Sequence, residues 1–339
     1  MLEQKVKTLK EKLKRVESEI EKLSLEIDLY RLLLEKAQAE ENVEEILKYK
    51  KLYLKAQLDY IEKVEAGDSV KFLTLKNFLK KEIKEAERVQ SGIMAIDKHM
   101  GGIPVGVMIQ FAAASYAGKT TTMMRIALNI ARKEKVAHFN YEMSELILHR
   151  LYSKMAINVT EQQLNNLIIP EDISADLEDL VRTIKILAYK EGVRFFIIDS
   201  RMKITAPAAN NKELASKISK TLSELVIKLG VTIILINQLS EEAIKENRII
   251  LKESGDQKYD ADIVLGLGFV YEADEKGKPK RDEMGRLIPR KDVRLLVCDK
   301  DRLGEPWIDK IYLDEIFPPQ AQQTEAEVVL ENFEESLPF

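Results

Sequence analysis

Thiol and imidazole groups are scarce in this chain. Its 339 residues include one cysteine, Cys298, and three scattered histidines, His99, His138 and His149. A single thiol excludes an intramolecular disulfide frame. The sparse Cys and His exclude a Cys/His metal cluster, and both absences fit a reducing compartment. Cys298 lies in an apolar run and reads as core; the histidines read as structural. No run of 18 apolar residues occurs, and the N-terminus is charged and helix-like, unlike a signal peptide. A soluble, cytoplasmic protein without a membrane partner is expected. A basic excess is missing too: Lys+Arg number 53 against 57 Asp+Glu, for a net charge of -4. The molecule as a whole is therefore no basic nucleic-acid wrapper, and any nucleic-acid contact must be local. What is abundant is hydrophobic (45%) and charged (32%) sequence, enough for one large α/β domain and a smaller module.

The smaller module comes first. Leu2, Val6, Leu9, Leu13, Val16, Ile20, Leu23, Ile27, Tyr30, Leu34 and Ala37 alternate spacings of four and three, the seam of a coiled coil. No Gly or Pro interrupts it, and as one helix it would span about 54 Å at 1.5 Å per residue. Asn42-Val43-Glu44-Glu45 has the form of a capping box opening a second helix over 43–65. The two helices form either a hairpin or a rod. Residues 1–90 carry 20 Lys+Arg and 19 Asp+Glu, a balance that points to a solvated helical surface for self-association or partner docking, not a DNA grip. A third amphipathic segment is expected over Leu75–Val89. The divisions are a helical module at 1–66, a linker helix at 67–90, the main domain at 91–318 and an acidic tail at 319–339.

The main domain is organised around Ala113-Ala114-Ser115-Tyr116-Ala117-Gly118-Lys119-Thr120. This A-x-x-x-x-G-K-T pattern follows an apolar segment and precedes a helix-forming one, the context that makes it a phosphate-binding loop. Backbone N–H groups of Ala113, Ser115, Ala117, Gly118 and Thr121 would wrap phosphates at a helix N-terminus. Lys119 would place a point charge on the β- and γ-phosphates of ATP or another NTP, and the Thr120 hydroxyl would sit on Mg²⁺. Glu142, just past a short strand at 135–141, is placed to poise a water against a γ-phosphate. Val193–Asp199 is an apolar strand closing on an acid suited to Mg²⁺. Val231–Gln238 is another apolar strand, ending in an amide. Strands alternating with helices predict a mostly parallel sheet covered on both faces, with ligands beyond the strands' carboxyl ends. Residues 144–190 read as helices broken at Pro170. Ala261–Tyr271, Val293–Cys298 and Trp307–Leu313 read as strands, and the polar stretch Glu272–Lys291 as a mobile loop.

The order of these pieces resembles the RecA-like ATPase domain of DnaB-type replicative helicases over residues 89–316. The resemblance is carried by the S-G-x-x-x-I-D lead at Ser91–Asp97, the phosphate loop, Glu142-Met143-Ser144, the run to Asp199, the strand to Gln238, and Glu253-Ser254-Gly255 followed by Asp260-Ala261-Asp262. It implies a hexameric ring hydrolysing ATP between subunits. Glu142 would be the catalytic base and Gln238 a γ-phosphate sensor. Lys300 would contact nucleotide beside Arg302, the arginine finger reaching a neighbour's ATP. Loops after Asp199 and Gln238, with Arg201, Lys203, Lys252, Glu253 and Gly255, would face single-stranded DNA in a central channel. There are departures: Lys252 replaces a common Arg, Asp301 stands between the basic pair, and the family's N-terminal helical domain is absent or replaced. A phage-like or specialised version is expected, with a primase, polymerase or loader docking on the N-terminal helices or the acidic tail ending Leu337-Pro338-Phe339. Two other classes remain open from the residues: a RecA-like recombinase or regulatory ATPase, and a ring scaffold that ATP merely assembles.

Overall fold

The computed structural model describes residues 2–66, 74–80, 86–114, 116–171, 173–239, 260–275 and 278–317. Contacts divide the chain into two compact units, Met1–Lys84 with Arg182–Gly192, and Glu85–Val181 with Val193–Phe339.

In the first unit the single long helix predicted over 2–37 is instead two. α1 (Leu2–Leu13) stops, and α2 (Glu19–Ala39) starts where the Ser18 hydroxyl accepts the Glu21 N–H. α3 (Val43–Glu65) opens on Asn42, whose side chain accepts the Glu45 N–H, one half of the expected capping box. Of the apolar seam positions, Val6, Ile27 and Ala37 are buried within the chain, while Ile20 stays exposed. Glu3 of α1 pairs with Lys36 of α2, and Glu19 of α2 with Lys63 of α3, so successive helices run antiparallel. Ile27, Ala56, Tyr60 and Ile61 bury their side chains together with Ile186 of the helix Leu177–Glu191. Within the chain these residues form a helical hairpin, α2 against α3, with a third, shorter helix.

α4 spans only Leu75–Leu79, capped by Thr74, and Arg88–Val89 form a strand, β1. The helix expected through to Val89 thus stops at Leu79; residues 81–85 lie outside the described ones.

The second unit is built on an eight-stranded sheet. β1 pairs separately with β2 (Ile103–Pro104), and α5 (Met94–Met100) lies between them in sequence. The S-G-x-x-x-I-D lead is a turn closed by its own acid: the Asp97 carboxylate accepts Ser91 N–H, Ser91 Oγ and Gly92 N–H. Gly92 has φ 72°, and a Cβ there would meet the Asn129 amide at 2.1 Å, so glycine is required.

The sheet strands are β3 (Met108–Ala113), β4 (Val136–Asn140), β5 (Leu167–Ile168), β6 (Phe195–Asp199), β7 (Thr232–Gln238), β8 (Ile263–Tyr271), β9 (Pro289–Asp301) and β10 (Trp307–Tyr312), in the order β10-β9-β8-β3-β7-β6-β4-β5. Strands β3 to β8 run parallel, while β9 is antiparallel to both its neighbours. β3 and β6 are buried throughout and β7 up to Gln238, as a strand covered on both faces must be. The crossovers are α6 (Lys119–Ile130), α7 (Glu145–Met155), α8 (Glu161–Asn166), α9 (Leu177–Glu191), and α10 (Asn211–Leu229); α11 (Leu313–Ile316) follows β10.

Two expectations change. The helical stretch 144–190 contains β5, a two-residue edge strand too short to leave a periodic signal. The stretch Glu272–Lys291 is no plain loop: β9 begins at Pro289, and bridges join Ala273 to Pro279 and Arg281 to Leu287. Cys298 is buried, and burial pushes its thiol up to about 12, so it is an inert core residue. Trp307 stacks on His99 with ring centroids 4.7 Å apart, a packing role as expected.

Candidate nucleotide site

β3 ends at Ala113, in the middle of the sheet, opposite Gln238 of β7 and Leu267 of β8. Ser115 lies outside the described residues; Tyr116 to Thr120 are placed. Gly118 takes φ 92° and caps the start of α6. Its carbonyl accepts the Thr122 N–H and the Thr121 and Thr122 hydroxyls. Thr121 thus turns its hydroxyl back into the helix, leaving its backbone N–H as the group it can offer a ligand. The first amides of a helix have no intrahelical acceptor and carry the positive end of its dipole, so this turn is built to receive an anion.

Three strands deliver the remaining groups to the same edge. Asp199 closes β6, fully buried. Thr120 Oγ1 donates to its Oδ2 at 2.6 Å, while Oδ1 is buried without a hydrogen-bond partner. Burial pushes the Asp199 carboxyl up to about 6, the nearby Glu142 charge adding to it and Thr120 and Lys119 opposing. An orphaned carboxylate oxygen beside a hydroxyl, both hard oxygen donors, fits Mg²⁺.

Glu142 is positioned by backbone pairing past β4. Tyr141 N–H donates to the Asp199 carbonyl at 2.6 Å. The Asn140 side chain brackets Met143, accepting its N–H at 3.0 Å and donating to its carbonyl at 2.6 Å. The Glu142 carboxylate then receives Lys119 Nζ at 2.9 Å and the Ser200 hydroxyl at 2.5 Å. Burial alone would raise its pKa, but the hydrogen bonds from Lys119 and Ser200, with the charges of Lys119 and Lys203, hold it below the usual carboxylate value. Glu142 is therefore ionised at neutral pH, as a base must be. Lys119 is within reach of both this carboxylate and the mouth of the loop.

The other predicted residues divide. Lys203 is exposed, and its charge is felt at Glu142. Arg201, expected on a DNA-facing loop, is instead 2% exposed, its Nε donating to Asn237 Oδ1 at 2.7 Å. Asn237 continues the buried chain to Gln110, and Gln110 to Ser219. Arg201 thus ties the short 3-10 turn Arg201–Lys203, which follows β6, to β7 inside the fold. Lys300 and Arg302 lie away from the phosphate loop of their own chain. Lys300 Nζ donates to the Ala261 carbonyl and Arg302 Nη1 to Asp262 at 2.9 Å, at the start of β8, whereas the loop abuts Leu267. The five residues from Asp262 to Leu267 span about 17 Å of strand, further than an arginine side chain reaches. Lys252, Glu253 and Gly255 lie outside the described residues, as does the acidic tail.

Ser200 and Arg294 were not marked by any motif. Ser200 could have been noticed as the hydroxyl following Asp199. Arg294 reaches the Ala117 carbonyl only through cross-strand register, which leaves no local signal. Among the described residues no cluster of three His, Cys, Asp or Glu could hold a metal, and no helix is long and apolar enough to cross a membrane.

A mostly parallel sheet with a glycine-capped loop after its central strand, acids at the ends of two neighbouring strands and an amide at the end of a third defines a RecA-like P-loop ATPase fold. Comparison with known proteins narrows this. The AAA domain family matches residues 80–243. The replicative DNA helicase DnaB of Geobacillus stearothermophilus is 27% identical over 232 residues, 59% of this chain and 50% of the relative. That of Helicobacter pylori is 25% identical over 254 residues, 65% of this chain and 52% of the relative. The chain spans about half the length of the curated relatives it matches. Among solved structures, a DnaB-like replicative helicase, described with its interactions with primase, superposes with a TM-score of 0.53 at 18% identity, over 84% of this chain and 75% of that one. The chain is thus similar in sequence to DnaB-type replicative helicases over part of its length, and it has the RecA-like fold of their ATPase domain.

Proposed function

We propose that this protein is an ATP-dependent DNA helicase that works as a ring, a hexamer, on single-stranded DNA in the cytoplasm. Homology to DnaB-type helicases supports the class. The observation that carries the assembly is the placement of Arg302 at the opposite end of β8 from the phosphate loop. A finger that cannot reach its own site is useful only to a neighbour's.

In this reading the loop amides and Lys119 hold the phosphates of ATP. Thr120 and Asp199 would hold Mg²⁺, which supplies charge neutralisation between β- and γ-phosphates. Nucleotide draws Lys119 off Glu142, and Ser200 keeps the freed carboxylate aimed at a water. Glu142 orients that water and takes its proton as it attacks in line. Gln238, paired in register with Ala113, senses whether a γ-phosphate is present. Arg302 of the neighbour, with Lys300 beside it, neutralises the developing charge, so hydrolysis depends on assembly. Lys203, Lys252, Glu253 and Gly255 are the DNA contacts of this proposal, blind to sequence as backbone contacts are. A primase, polymerase or loader is the partner expected at the N-terminal helices.

A forked DNA duplex with ATP tests the proposal, with electron microscopy of the same sample. The wild type should form rings and separate strands; Lys119→Ala should lose nucleotide binding, and Glu142→Gln should bind ATP but hydrolyse it at least about 100-fold more slowly. Rings that hydrolyse ATP on DNA without separating any fork would sink the motor and leave a scaffold. Long filaments that pair strands would indicate a recombinase.

A further inference from the structure

Arg294 belongs to no motif, yet it touches the phosphate loop. It stands on β9 directly opposite Phe269 of β8. Its guanidinium carbon lies 5.1 Å from the Phe269 ring centroid. Nη1 donates to the carbonyls of Arg290 at 2.8 Å and Val293 at 3.0 Å. The ring and these two acceptors fix the guanidinium plane, and Nε reaches the Ala117 carbonyl at 3.3 Å.

That carbonyl shares a peptide unit with the Gly118 N–H. In a planar trans peptide the two point in opposite directions. A donor held on the Ala117 oxygen from the β9 side therefore turns the Gly118 N–H away from Arg294. The adjoining carbonyls are occupied as well: Ala114 accepts the Ala117 N–H at 3.2 Å, and Gly118 accepts the Thr122 N–H at 2.9 Å. With these three oxygens and the Ala117 N–H tied to protein, the Gly118 N–H is left for an anion. A charged donor also polarises the peptide it binds, which strengthens the N–H at the far end.

We propose that Arg294 is a positioning residue of the phosphate loop: stacked on Phe269, it locks the Ala117–Gly118 peptide so that the Gly118 N–H faces the β-phosphate of a nucleoside di- or triphosphate. This rests on the reading of the loop as a nucleotide site. Arg294 itself does not touch the ligand. The β-phosphate is already charged before γ-phosphoryl transfer and gains further charge as it leaves, so the contribution is mostly ground-state binding, which shows chiefly in KM with a small effect on kcat.

The test uses the full chain as wild type, Arg294→Met, Arg294→Lys, Phe269→Leu and Lys119→Ala. Fluorescent ADP titrations, steady-state ATP hydrolysis and thermal unfolding are measured on each. Arg294→Met should raise the Kd for ADP and the KM for ATP about five- to tenfold, the worth of one ordinary hydrogen bond, with kcat within about twofold and Tm unchanged. Arg294→Lys keeps the charge but loses the planar stack, and should recover only part of the affinity; Phe269→Leu should move KM the same way by less. The proposal is overturned if Arg294→Met keeps the wild-type KM, or if KM and kcat worsen only in step with Tm. Should Arg294→Met fail to fold, the KM of Arg294→Lys decides in the same way. Wild type that binds ADP while Lys119→Ala does not upholds the nucleotide site whatever Arg294 shows. Wild type that binds no nucleotide removes the site and this inference together.

Discussion

Asp199 and Glu142 hang from neighbouring strands, and their surroundings move their protons in opposite directions. Asp199 is sealed under the sheet edge with one oxygen unpartnered and is raised to about 6. Glu142 collects Lys119 and Ser200 and is lowered despite its burial. The first is the environment of a group awaiting a cation, the second that of a base kept ionised. A third buried titratable group answers to stability. His138 on β4 bonds Tyr152 through Nδ1 at 2.7 Å, its Nε2 has no partner, and burial lowers its pKa to about 4. The folded state keeps the ring neutral down to about pH 4, whereas the unfolded chain takes up the proton below about pH 6.5. Between those values the unfolded state binds more protons, so stability falls as pH falls. The whole window is worth about 3 kcal/mol at 1.36 kcal/mol per unit. Urea unfolding at pH 7 and pH 4.5 should show a smaller loss in His138→Gln than in wild type; equal losses would refute it. Lys119, Thr120, Glu142 and Asp199 were legible in the sequence because the chemistry of a phosphate loop fixes their types next to recognisable strands. Arg294 and the burial of Arg201 were not, since each depends on which distant strand lies alongside.

At the scale of elements, the main strands were legible wherever apolar residues ran unbroken, as in β3, β6 and β7. Boundaries set by a single cap were not. The heptad pattern passes through Ser18 without a change of phase, yet the helix stops at Leu13 and restarts there. Periodicity reports which face is apolar and is silent on whether that face meets another chain or folds back on its own. The hairpin instead depends on local chemistry at its turn. Asn42 accepts the Glu45 N–H at 3.2 Å, and Asn42 itself donates to Ala37, closing α2 onto α3. Asn42→Ala should cost about 1 kcal/mol of stability, the usual worth of such a cap, while Asn42→Asp should keep most of it. Denaturant unfolding of the full chain measures both. An alanine variant as stable as the wild type would show that packing of Ile27, Tyr60 and Ile61 alone holds the turn.

At the scale of the whole molecule, the groups proposed for catalysis are divided between the two ends of β8. The phosphate loop, Glu142 and Asp199 gather at one end, and Arg302 lies at the other, held on Asp262. If the proposed ring forms, each interface joins the loop end of one subunit to the Arg302 end of the next. Two variants, each dead alone, should then rescue one another. Glu142→Gln lacks a base but carries an intact Arg302; Arg302→Ala lacks the finger but carries an intact base. Mixed one to one and allowed to assemble at random, about a quarter of the interfaces pair an intact base with an intact finger, and hydrolysis should return to roughly that share of wild type if interfaces fire independently. Firing that needs every interface of a ring would return nothing from this mixture, because two adjoining interfaces can never both be intact. A mixture as inactive as its components, in rings shown to contain both chains, would mean either that Arg302 serves no neighbour and the division across β8 is structural, or that no interface fires singly. The same mixture prepared with Lys119→Ala in place of Glu142→Gln should behave alike, because both lesions lie at the loop end and leave Arg302 free to act in the adjoining site.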